Sequence, residues 1–369
     1  MMPHDRPAGW RRRLLVALPV LAVACSPRDP AATMTITRVA LDSLPVATAR
    51  YDTSQGELIL EMPPTDIPGS SGMHQGMIVT PATRVEIPIS GYVHSFRVEV
   101  VDPQGHLLPA HTLHHFNVMD PGRRELFAPI MLRLLAASKE TGSPEVPARL
   151  IGMPLVAGQQ LILKGMLHNE DATPLPGARA RIVLGYVPAG RRYPVYQAYP
   201  WQLDTKFPVG GIDGIKSFDL PAGRSEVAYV ASPAVSGTLV GIGGHVHDYA
   251  RHLVFRDSTT GQVFWHGVAS TDADGEVVSM PVKKFYSLTS LGVHLDPTHR
   301  YEVSVVYDNP TGHNIAFGGM GVVAGLFVPD AGATWPGVDT ANAAYKADLF
   351  NQLRDGNTVG EMGMMQMHH

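Results

Sequence analysis

Thr238-Leu239-Val240-Gly241-Ile242-Gly243-Gly244-His245-Val246-His247 is the stretch from which the fold can be read. It runs into Asp248-Tyr249-Ala250-Arg251-His252 and then into a second apolar run, Leu253-Val254-Phe255. Short β-branched and aliphatic runs around a polar segment are the mark of strands joined by a turn. Residues i and i+2 of a strand project to one face, so His245 and His247 can aim two imidazoles at one spot. Two neutral imidazoles on a stiff strand make a chelating pair suited to copper or zinc. His252 lies an odd number of residues from both, so on a continuous strand it faces away.

The same short strands recur on either side. Arg84-Val85-Glu86-Ile87 and Phe96-Arg97-Val98-Glu99-Val100 alternate with period two, and Pro103-Gln104-Gly105 is a turn. Gln160 to His168, Arg181 to Val187, Ser225 to Val230, Tyr301 to Val305 and Gly321 to Val328 read as further strands. Leu253-Val254-Phe255 is expected to form a hairpin with Val263-Phe264-Trp265 across Asp257 to Gly261. Pro129 opens an expected short helix through Leu134 and Leu135 that stops at Gly142. A second helix is expected past Val328, capped by Asp339 or Thr340, with Tyr345, Leu349 and Leu353 on one face and Gly356 at its end. Pro188 to Arg192 and the Pro- and Tyr-rich Tyr193 to Pro200 interrupt the strand pattern. The expected organisation is all-β: one sandwich over 37–188, a second over 200–330, and a helix with a tail over 331–369.

The chain has 369 residues, net charge −4 and only 17% charged residues, a balance that does not point to nucleic acid. Gly 37 and Pro 31 suit many turns. His 17 and Met 16 stand beside one Cys, so no internal disulfide can form and soft metal ligands must be thioethers. Arg11-Arg12-Arg13 precedes an apolar run, Leu14 to Val23, too short to span a bilayer. It ends in Leu21-Ala22-Val23-Ala24-Cys25 and resembles a bacterial lipoprotein signal: a leader over 1–24, lipid on Cys25 and a linker over 25–36. The alternative is an ordinary secretory signal. Both place the mature chain outside the cytoplasm, the lipoprotein reading tethering it to the membrane on the periplasmic side.

Other candidate ligands fall into four groups. Adjacent strand residues face opposite ways, so His114-His115 can meet one metal only at a bend, a bulge or a strand end. In Met166-Leu167-His168 the leucine shares the core face with Leu161 and Leu163, leaving Met166 and His168 on the other. Tyr307-Asp308-Asn309, His313 and Gly318-Gly319-Met320-Gly321 form a third group. The last is the tail Met362-Gly363-Met364-Met365-Gln366-Met367-His368-His369, a soft tract of the kind that captures copper, with Met73-His74-Gln75-Gly76-Met77 as a weaker instance. Each has a plainer reading as core filler or solvated surface.

In this order the candidates resemble the copper type II, ascorbate-dependent monooxygenases, the group of peptidylglycine α-hydroxylating and dopamine β-monooxygenases. The resemblance spans about residues 80 to 330. It implies two tandem jelly-roll domains. It implies an electron-transfer copper on His114, His115 and His168, and a catalytic copper on His245, His247 and Met320. Met166 remains the alternative to His168. Leu326 stands where the family carries its Met. Met320 keeps the same strand face but lies about 20 Å away along an extended strand, so it serves only if the strand starts late or bends. His313 and a tail Met are the other candidates for that ligand. The family's disulfides are absent. The implied activity is hydroxylation of a C–H bond of a small-molecule or peptide substrate with O2, one or two copper ions and an ascorbate-like reductant. The competing expectations are a copper storage or delivery lipoprotein without turnover and an adhesion module with incidental histidines.

Overall fold

The structure, a computed structural model, describes residues 41–70, 76–138, 144–190, 194–207, 216–272, 276–287 and 289–353. The expected leader over 1–24, Cys25, most of the Met73 segment, Gly142, Gly356 and the Met/His tail lie outside them. Among the described residues no helix is long and apolar enough to cross a membrane.

Sixteen principal strands fall into two sets of eight. The first set is β1 (Glu57–Glu61), β2 (Thr83–Glu86), β3 (Gly91–Val101), β4 (Leu113–Arg124), β5 (Met131–Ser138), β6 (Ile151–Leu155), β7 (Gln160–His168) and β8 (Leu175–Pro188). The second set is β9 (Tyr199–Asp204), β10 (Gly223–Ala231), β11 (Gly237–Val246), β12 (Ala250–Asp257), β13 (Val263–Val268), β14 (Val293–Leu295), β15 (Tyr301–Asn309) and β16 (Gly321–Pro329). In the first set the order β1-β8-β3-β6 faces β2-β7-β4-β5; in the second, β9-β16-β11-β14 faces β10-β15-β12-β13. Adding eight to each number converts one order into the other. Each is the eight-stranded, two-sheet wrapping of a jelly roll. The expected hairpin is present, with Phe255 opposite Trp265.

Each sandwich closes over its own core. Leu58, Leu60, Ile182 and Leu184 from one sheet meet Phe116, Val118, Leu161 and Leu163 from the other. Trp201, Leu239, Leu253, Phe255, Val303 and Phe327 fill the second. The expected boundaries do not fence these cores. Leu126, Phe127, Ala128 and Ile130, in the β4–β5 connection, sit in the second core.

Two expectations are corrected. The Leu/Ala-rich run after Pro129 is not a helix: Met131–Ser138 is β5, paired antiparallel to β4. Its residues favour helix in isolation, but pairing with β4 and burial of Leu132 and Leu134 override that preference. The C-terminal helix, α1 (Ala343–Leu353), is capped by neither Asp339 nor Thr340. Asn342 Oδ1 accepts the backbone N–H groups of Ala344 and Tyr345, at 2.8 and 3.4 Å. As expected, Tyr345, Leu349 and Leu353 share a face, which packs against Met119, Met131 and Ile162 of the first sandwich.

A buried ionic network ties α1 to the seam. Arg133 donates to Asp348 through both terminal nitrogens, at 2.6 and 2.5 Å. Glu125 Oε1 accepts the Arg133 backbone N–H at 2.7 Å. Burial pushes the Glu125 carboxyl up to about 7, against the pull of the Arg133 and Lys216 cations. Below pH 4.5 the group is neutral whether folded or not. Between 4.5 and about 7 the unfolded chain ionises it while the fold keeps the proton, so stability falls as pH rises and levels off above 7. The decline is at most about 3 kcal/mol from this group. Glu125→Gln should remove it: urea midpoints should match wild type at pH 4 and exceed it at pH 8. Equal midpoints at both pH values would dismiss the assignment.

Candidate metal centre

His114 and His115 lie at the start of β4, where the ladder is irregular. Met166 of β7 is opposite His115 and Leu167 is opposite Leu113, so His114 is an extra residue. Such a bulge turns two successive side chains to the same side. Leu113 and Phe116 enter the core on either side of it, while both histidines stay half-buried. Their ring centroids are 4.4 Å apart with planes at 85°. The adjacent pair therefore meets the condition set by the sequence.

His245 and His247 lie at the end of β11. His245 is opposite Val322 and Val246 opposite Gly321. The two rings are 5.5 Å apart at 82°. Continuing the register by one residue brings Met320 opposite His247, and a single phenol fixes that junction. Tyr307 Oη accepts the N–H of His247 at 3.0 Å and the N–H of Met320 at 2.9 Å, and donates to the Met320 carbonyl. Tyr307 is fully buried, and burial pushes its hydroxyl up to about 12, so it stays a donor at any physiological pH. Glycines on both sides give Met320 its narrow path. A Cβ on Gly321 would lie 2.8 Å from Val305, and one on Gly319 would lie 2.2 Å from the Phe218 ring.

The two pairs are neighbours. The His115 and His245 rings, one from each sandwich, are 6.3 Å apart at 87°. The four imidazoles form one row, His114, His115, His245, His247, across the seam. Two imidazoles sharing an ion at 90–110° have centroids roughly 4.5–5.2 Å apart, given metal–nitrogen distances of about 2.0–2.1 Å. The His114–His115 spacing falls just short of that range and the His245–His247 spacing just beyond it, so either pair would need a small ring movement to share a copper-sized ion. Among the described residues, no three His, Cys, Asp or Glu side chains already converge on one point.

The remaining candidates are spread out. Met166 faces His115 directly, while His168 is opposite Met77 and 3.9 Å from Glu170. Leu326 pairs with Gly241, four residues and about 13 Å along β11 from His245. Met320 immediately precedes β16, so the late strand start required of it is met. His313 is exposed, with Nδ1 3.1 Å from the Thr311 carbonyl of its own turn, beyond the Ile315–Gly319 strand from Met320. His252 is on β12, past the turn at Asp248-Tyr249, beside His266 rather than the row. Sequence reading missed Tyr307 as the fastener. Its signal is a Tyr on the core face of an alternating strand, two residues before a turn.

Tyr307→Phe should leave the two N–H groups it serves unsatisfied and cost about 1–3 kcal/mol. If His247 and Met320 hold a copper ion and the clamp sets their geometry, copper affinity should fall about tenfold in the same variant. A shifted urea midpoint with unchanged copper affinity would reduce Tyr307 to a purely structural residue.

No protein-family model and no curated protein matches this chain. Among solved structures, the major capsid protein P2 of bacteriophage PM2 aligns with TM-score 0.34 and 11% identity, over 75% of this chain and 100% of that one. Sulfolobus Turreted Icosahedral Virus gives 0.30 and 12%, over 80% and 98%. PNGF-II gives 0.34 and 8%, over 74% and 65%. At these values the likenesses carry nothing about activity.

Proposed function

We propose that this protein is a copper-dependent, monooxygenase-like oxidoreductase whose copper is held by the histidine row at the seam between two jelly rolls. The observation that carries this reading is the approach of His115 to His245, 6.3 Å between ring centroids, which brings a pair from each sandwich side by side at the seam. Copper, when bound, would supply the redox chemistry for placing one atom of O2 in a substrate C–H bond. The other atom leaves as water, with two electrons and two protons from a reductant such as ascorbate. His114, His115, His245 and His247 would be the nitrogen donors, Met320 the soft donor beside His247, and Met166 the one beside His115.

The chain's own contribution is to hold these groups. The bulge aims two imidazoles to one side, the β11–β16 ladder aims two more, and the Tyr307 hydroxyl locks His247 to Met320. Half-burial of all four histidines leaves the row reachable by a small reductant and a substrate. With lipid on Cys25 the protein would work tethered on the extracytoplasmic side of a membrane.

The test is metal analysis of the purified protein followed by oxygen uptake with ascorbate. Copper binding with ascorbate-dependent oxygen uptake, both lost in His245→Ala, supports the oxygenase. Copper without uptake favours storage or delivery, a reading supported by Leu326 in the position of the family's Met. In Met320→Leu, Cu(I) binding should weaken more than Cu(II) binding, because a thioether prefers the softer, reduced ion.

A further inference from the structure

We propose that His252 and His266 form a second metal site, on the outer face of the second sandwich, taking one divalent transition-metal ion such as Cu(II) or Zn(II). Strands β12 and β13 are antiparallel, with His252 opposite Val268 and Val254 opposite His266. The two histidines are thus diagonal neighbours on one face, while Leu253 and Phe255 point the other way into the core. Their rings are 5.0 Å apart at 84°. That separation lies inside the roughly 4.5–5.2 Å expected of two imidazoles sharing an ion at 90–110°.

The pair is also accessible and held by backbone. His266 is exposed and His252 half-buried, so an ion can arrive from solvent and keep waters in its other positions. Neither imidazole hydrogen-bonds to another group among the described residues; each meets the other's ring. Both are fixed by one ladder, so little freedom is lost when an ion joins them. Arg224 and Glu226 of β10 are the charged groups facing His252. Glu226 and His252 each pair with Val306 of β15, from opposite sides, which keeps the carboxylate a strand away as an outer counter-charge. Two protein ligands with water make a weaker and more exchangeable site than the seam row.

The site is separate from the proposed function and is tested by a signal local to it. Full-length protein with labelled valine methyls is titrated with Cu(II), a paramagnetic ion that broadens nearby resonances. Val254 and Val268, which flank the pair, should broaden, and excess Zn(II) should restore them. His252→Ala and His266→Ala should each raise the Cu(II) concentration needed by about tenfold or more, and His266→Asn should do the same. Copper retained at the seam after dialysis should not change in any of them. An otherwise superimposable methyl spectrum verifies folding. Equal broadening of Val254 and Val268 in wild type and variants, or none in wild type, overturns the proposal, whatever the fate of the seam copper.

Discussion

His115→Ala should weaken dialysis-resistant copper binding about as severely as His245→Ala, on the order of 100-fold. The two residues are 130 positions apart in sequence and belong to different sandwiches, yet their rings are 6.3 Å apart. If they serve one donor row, each substitution removes a nitrogen from the same set, and the double variant should lose little more than either single one. If each pair serves an independent ion, the losses add. A double-mutant cycle on copper affinity separates these outcomes. An unchanged affinity of the His245–His247 pair in His115→Ala would break the shared site and restore two separate centres. His252→Ala is the control, because that ring stands beside His266 and should leave the retained copper unchanged.

Much of this arrangement was legible because it is local. Period-two alternation marks strands wherever one face is buried, which is why Gln160–His168 and Tyr301–Asn309 stand where the pattern places them. The turn residues from Asp257 to Gly261 likewise mark the hairpin. What was not legible depends on distant partners. Met131–Ser138 carries helix-favouring residues and becomes a strand only because β4 pairs with it. The bulge at His114 is a property of the β4–β7 register, which no residue type announces. The meeting of the two histidine pairs at the seam depends on how one jelly roll sits against the other. Met320 looked too far from the family's position when counted along an extended strand; the ladder starting at Gly321 instead places it beside His247.

The network behind the seam belongs to the same class, since Arg133 and Asp348 are separated by 215 positions. Asp348→Ala should cost about 3–5 kcal/mol, because it strands a buried guanidinium without its carboxylate. Arg133 is 9% exposed and Asp348 2%, so water cannot replace the lost partner without opening the structure. Asp348 also accepts the Met131 backbone N–H at 3.1 Å, so the edge of β5 loses a contact as well. The loss should appear as a lower urea midpoint and as faster proteolytic release of α1, whose Tyr345 packs on the first sandwich. Arg133→Met combined with Asp348→Leu removes both charges and should recover most of the stability, since a buried pair replaced by apolar groups of similar size costs little. If Asp348→Ala costs less than about 1 kcal/mol, the range of an exposed pair, the helix is not anchored by this bridge. If the double replacement is as damaging as the single one, the bridge is needed to position α1 and not merely to neutralise a charge.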